Sequence, residues 1–141
     1  MTAIHWTSVG IPAPQGSKRH VGRGIMIESC KALPAWREQV IYDVTKAAKG
    51  HVFIEGVSIN VAFRFPRLKA HFNSKGLIKD KAPIFKTTKP DIDKLCRAVL
   101  DAITIAGAIR DDSQCYALTA VKTYCNEGQQ PGISATISDL L

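Results

Sequence analysis

Acidic residues are the scarce charge in this chain: twelve Asp and Glu stand against nineteen Lys and Arg, a net charge of +7 over 141 residues. A surface so short of negative charge is poorly suited to basic partners and well suited to polyanions. Long apolar runs are missing too, and no uncharged stretch approaches the ~20 residues of a membrane span. The N-terminal stretch lacks a basic start and contains Pro12 and Pro14. No signal peptide is read there, so the protein is expected in the cytoplasm. Cys30, Cys96, Cys115 and Cys125 show no CxxC spacing and no nearby His pairs, which argues against a zinc site and predicts reduced, mostly buried thiols. A Walker-type glycine loop is also absent.

What acid there is lies unevenly. Residues 1–90 hold fifteen Lys and Arg against five Asp and Glu, and residues 91–141 hold four against seven, or +10 and −3. Five of the twelve acids fall between Asp91 and Asp112, in KPDIDKLCRAVLDAITIAGAIRDDSQ. Two carboxylates about 4 Å apart repel by roughly 4 kcal/mol at an effective dielectric of about 20. Carboxylates gathered by a fold therefore need a cation, protons or separation. In a chain built to hold polyanions a divalent ion is the usual answer, since it binds carboxylate and phosphate oxygens together. An EF-hand is excluded, because Leu95 stands where an oxygen ligand is required.

At this length the chain is expected to form one domain, residues 1–141, with a single core. Alternation predicts a strand over Ile4–Ile11, followed by turn residues in PAPQGSKRHVGRG that carry Lys18, Arg19, His20 and Arg23. A short return strand over Ile25–Ile27 follows. Pro34 suits the first turn of a helix with Trp36, Val40, Ile41 and Val44 at helical spacing and Gly50 as its stop. The strand over Val57–Phe65 alternates almost strictly. Residues 66–90 lose periodicity and form a long basic loop holding Arg67, Lys69, Lys75, Lys79, Lys81, Lys86 and Lys89. So long a connection inside a small domain is usually functional or disordered, and its lead into the carboxylates favours an ordered or partly ordered, DNA-facing loop. His71 and Phe72 could stack on bases, although an exposed His and a core Phe is the plainer reading. A second helix presents Ile92, Leu95, Cys96, Val99, Ala102, Ile103 and Ala106 on one face and ends at Gly107. Strands over Cys115–Tyr124 and Ile133–Ile137 close the chain. The order predicts an α+β fold, a mixed or antiparallel sheet with two main helices on one face.

Within the acidic segment, Asp91 is a natural N-cap after Pro90. If it lies outside the helix proper, its carboxylate and that of Asp93 can converge on one ion, favoured by the helix N-terminus. Asp93, Arg97 and Asp101 share a polar stripe with Lys94 beside it. Asp101 is about 12 Å from Asp93 by helix rise, which assigns it to a salt bridge with Arg97 or to the edge of the site. Asp111 and Asp112 follow after a short loop that can fold back, returning one of the pair to the Asp91 and Asp93 end.

At these residues, KPDIDKLCRAVLDAI followed by RDDSQ, the chain resembles RusA-type Holliday junction resolvases of the branch common in phages and prophages. Weaker support comes from PAPQGSKR, FRFPRLKAHF and VKTY. The resemblance implies a homodimeric endonuclease dependent on Mg2+, with Mn2+ as a substitute, that makes paired symmetric cuts in four-way and other branched DNA. It assigns Asp91, Asp93 and Asp112 to the metal, with Asp111 an adjacent candidate. Arg97 stands where the family often has a catalytic lysine, and Lys94 where it commonly has asparagine. Lys18, Arg19, Arg23, Arg67, Lys69, Lys86, Lys89 and Lys94 are the expected DNA contacts. Three other readings remain open at this point: a metal nuclease of other branched or duplex DNA, a non-catalytic, structure-specific DNA-binding protein, and a small basic interaction protein whose acidic segment is a solvated helix face.

Overall fold

Alternating burial organises the chain from its first strand, β1 (Ala3–Val9), where Ile4, Trp6 and Ser8 turn inward and the residues between them face out. The computed structural model describes the chain apart from residues 1, 17, 21, 25, 29 and 140–141 and the side chains at 18–20 and 26–28. A hairpin of β2 (Lys18–His20) and β3 (Met26–Glu28) follows, then helix α1 (Leu33–Ala48) and strand β4 (Val57–Phe65). After the 66–90 segment come helix α2 (Ile92–Ala106), a 3-10 turn (Asp112–Gln114), and strands β5 (Cys115–Tyr124) and β6 (Gly132–Ser138).

The main sheet runs β1-β6-β4-β5, with β4 and β5 parallel and the other neighbours antiparallel. It is mixed because β5 returns to lie alongside β4, and a parallel return needs a crossover, here 66–90 and α2. Val57, Ile59, Val61, Phe63 and Phe65 of β4 are buried toward the helices, against Val40 and Val44 of α1 and Leu95, Val99 and Ile103 of α2 in one apolar cluster. Trp36 anchors that core, as its spacing predicted.

Three local departures have plain causes. First, β1 stops at Val9 because Gly10 takes φ +140°, leaving Ile11 exposed. Residues 18–20 pair with 26–28 rather than serving as turn, a ladder that no alternation in so short a stretch announces; the expected Ile25 start of the return strand lies outside the described residues. Finally, Ile92, placed by its spacing on the core face of α2, is 39 % exposed, since the first turn of the helix overhangs the core.

The 66–90 segment is ordered. Arg67 donates from Nε to the Cys125 carbonyl at 2.9 Å and from Nη1 to that of Pro83 at 2.7 Å. Residues 84–86 pair with the end of β5, through Tyr124 N to Ile84 O at 2.9 Å and Lys86 N to Lys122 O at 3.1 Å. His71 and Phe72 reverse the plainer expectation: the histidine is 8 % exposed and the phenylalanine 37 %. The imidazole packs edge-on to Tyr124 and its Nδ1 accepts from Leu68 N, so it is held as part of the loop's framework. Burial first, then the charges of Arg67, Lys79 and Lys86, lower its pKa and favour the neutral ring.

A carboxylate groove along the second helix

Asp91 is the N-cap of α2 by backbone, extended at φ −68° and ψ 139°, yet its side chain makes no capping hydrogen bond. The carboxylate faces Lys94 instead, 3.8 Å away and largely exposed; such a pair contributes little to stability. Asp93 occupies the first turn. Between α2 and β5 runs a groove of about 480 Å³ lined by Ile92, Asp93, Cys96, Arg97, Leu100, Asp112, Leu118 and Ala120. Asp91 belongs to a neighbouring hollow with Pro14, Lys89, Pro90 and Lys94.

The two aspartates of RDDSQ separate by role. Asp111 caps the 3-10 turn, accepting from Ser113 N at 2.9 Å, and those hydrogen bonds lower its pKa. Asp112 enters the groove, its Oδ1 2.6 Å from the Thr104 hydroxyl. That hydroxyl also lies 3.0 Å from the Leu100 carbonyl. Its one hydrogen serves the charged and nearer acceptor better. Gln114 fixes the turn itself, accepting from Arg110 N and Asp111 N and donating to the carbonyls of Phe53 and Glu55.

Thr104 is in the last turn of α2, so Asp112 does return to the helix, but at the end opposite Asp93. The eleven residues from 93 to 104 span roughly 16 Å of axis. Within one chain the carboxylates therefore bound the two ends of the groove rather than one ion, and among the described residues no group of three or more His, Cys, Asp and Glu is placed to hold a metal. The donor chemistry still suits magnesium, which is commonly bound through one or two carboxylates together with substrate phosphates.

Arg97 lies between the ends, exposed, and beside Gly16. Gly16 takes φ +103°, and a Cβ there would collide with the Arg97 guanidinium. The same PAPQG stretch is clasped to α2 by Gln15 N donating to the Lys94 carbonyl at 2.9 Å and to α1 by Arg37 donating to Gln15 Oε1 at 2.8 Å. Asp101, expected to pair with Arg97 or to stand at the edge of the site, pairs with Arg37 of α1 at 3.2 Å. The contact is off the hydrogen-bond line, since Arg37 Nε has no hydrogen-bond acceptor. Cys96 is held neutral, its pKa pushed up to about 11 by burial first and then by Asp93 and Cys115. Of the four unpaired thiols, Cys96 and Cys125 are buried and Cys30 and Cys115 half-buried.

Of the expected DNA contacts, Lys69 and Lys89 are exposed and Arg23 sits exposed in the β2–β3 turn. Arg67 is committed to backbone carbonyls, and Lys86 donates to Thr88 Oγ1 and lies over the Phe65 and Tyr124 rings. The side chains of Lys18 and Arg19 lie outside the described residues. Among the described residues the loop lysines enter no ion pair. Sequence reasoning missed Thr104 and Lys122. Thr104 continues the 93, 97, 100 stripe, and Lys122 interrupts the helix-side face of β5 shared by Leu118, Ala120 and Tyr124. Those two positions were the available signals.

Fold and site define a class: a small basic α+β protein whose carboxylates border a groove along one helix. The model of the Endodeoxyribonuclease RusA family matches residues 10–138, and the chain belongs to that family. Membership makes it an endodeoxyribonuclease and implies Holliday junction resolution on a DNA substrate, in a family that generally uses a divalent metal. No curated protein matches the chain. No helix among the described residues is long and apolar enough to cross a membrane.

Proposed function

We propose that this protein is a Mg2+-dependent endonuclease, with Mn2+ as a substitute ion, that resolves four-way junctions by paired symmetric cuts leaving 5′-phosphates. One observation carries the reading: Asp93 and Asp112 end a single groove with Arg97 between them. Two copies of the chain, related by a two-fold axis across the middle of α2, would bring Asp91 and Asp93 of one beside Asp112 of the other. The exposed apolar residues Ile92 and Leu118, which line this groove, support a second copy as its occupant. A homodimer of this form has two equivalent sites, matching the two-fold symmetric strands of a junction.

In such a site Asp91, Asp93 and Asp112 would hold the ion, with Asp111 adjacent. The ion, when bound, supplies a lowered pKa for a coordinated water and positive charge for the scissile phosphate. Thr104 orients the Asp112 carboxylate by donating to its Oδ1. Arg97 donates to a non-bridging phosphate oxygen, and it acts by charge alone because guanidinium does not release its proton at working pH. Leu100, Leu118 and neutral Cys96 make an apolar wall, which strengthens these charge interactions by lowering the local dielectric. Lys69, Lys89, Lys94, Arg23, Lys18 and Arg19 contact the sugar-phosphate backbone, while Arg67 and Lys86 hold the shape of the loop that presents the lysines. Enzymes of this type are common in phages and prophages.

The test compares cleavage of a synthetic four-way junction and a matched linear duplex in Mg2+, using the wild type and Asp93→Asn. The wild type should cut the junction in symmetric pairs and spare the duplex. Asp93→Asn should lose about 100-fold or more in rate while binding the junction normally in Ca2+. Equal cutting of both substrates would remove the resolvase assignment.

A further inference from the structure

Lys122 is a charged side chain on the helix-side face of β5, and it spends its donors on backbone rather than on an acid. Its Nζ lies 2.7 Å from the Thr88 carbonyl and 2.6 Å from that of Pro90. These two carbonyls flank the segment that delivers Asp91 to the start of α2. The same segment is tied to the strand's backbone as well, because Lys86 N donates to the Lys122 carbonyl at 3.1 Å. Backbone carbonyls bonded to an ammonium are charge-assisted contacts, shorter and stronger than neutral ones. Asp91 has no capping bond of its own to fix it.

We infer that Lys122 is a positioning residue for the acidic site: by bridging Thr88 O and Pro90 O it sets where the Asp91 carboxylate stands. The inference rests on the metal-holding role proposed for Asp91. Lys122 touches no reacting atom, so its effect must reach the chemistry through Asp91. An arginine could keep two donors on the two carbonyls; methionine keeps the aliphatic stem and loses both; glutamine, one atom shorter and uncharged, loses the charge-assisted bridge.

The test measures Mn2+ binding without DNA by electron paramagnetic resonance titration, together with junction affinity in Ca2+ and thermal melting. Wild type, Lys122→Met, Lys122→Gln, Lys122→Arg and Asp91→Asn are compared. Lys122→Met should weaken Mn2+ binding about tenfold, the size expected when a residue orienting a metal ligand is lost. It should raise the Mg2+ concentration for half-maximal cleavage in step, and leave junction affinity within twofold. Lys122→Arg should restore Mn2+ binding to within about threefold of wild type. If the methionine variant fails to fold, Lys122→Gln must show the weakened Mn2+ binding. A folded methionine or glutamine variant that binds Mn2+ as wild type does overturns the inference, as does equal weakening by arginine. Should Asp91→Asn leave Mn2+ binding unchanged, the fault lies instead with the metal-holding role of Asp91.

Discussion

Asp111 and Asp112 are adjacent, chemically identical and given different work by their hydrogen bonds. Asp112 is oriented by Thr104, so Thr104→Val should lower cleavage about tenfold while junction affinity and melting temperature stay near wild type. Kinetics on a junction beside a Ca2+ binding titration would check it. Asp111 instead caps the 3-10 turn, and its pKa lies below its ordinary 3.8. A carboxylate with a depressed folded pKa contributes stability that is full above its unfolded pKa and is lost as pH falls through the folded value. Urea midpoints should therefore show Asp111→Asn less stable than wild type at pH 7, with the difference shrinking as pH drops below about 4. Cleavage by this variant at pH 7 should stay near normal. From residues alone the two aspartates were indistinguishable. What separates them is the register in which the turn meets the last turn of α2, and that is set by Gln114 reaching across to the 53–55 segment.

Among the elements, the long helices and the β4 strand were legible because their faces repeat at 3.6 and 2 residues, and burial follows those periods. Legibility failed where function depends on contact between elements. Arg37 captures Asp101, Gln15 ties the segment after β1 to α2, and Gly16 leaves room for Arg97; none of these leaves a periodic trace. Gly16 gives the sharpest check on this clasp. A Gly16→Ala chain must place a Cβ at φ +103° against the Arg97 guanidinium, straining the backbone by about 1–2 kcal/mol and pushing the arginine from the groove. Cleavage should fall about as far as in Arg97→Gln, with junction binding kept and helical circular dichroism unchanged. A Gly16→Ala enzyme of full activity would show that the position of Arg97 is immaterial.

At the scale of the whole molecule, charge was the feature most open to sequence reading: a +10 body and a −3 remainder. Ordered residues 66–90 extend that basic surface up to the start of α2. The meeting of the carboxylates was not legible, because the spacing that lets a loop fold back does not say to which end of a helix it returns. One chain leaves Asp93 and Asp112 about three turns apart, and the two-fold arrangement we propose restores the set with a residue from each copy. Subunit mixing tests that arrangement most directly: Asp93→Asn and Asp112→Asn, each inactive alone, are co-refolded and assayed on a four-way junction in Mg2+. If each site draws on both copies, the mixed dimer has one intact site and one doubly altered site, and nicking returns on a single strand without paired cuts. Mixed dimers verified by differential tags that stay as inactive as either parent would contradict the shared site.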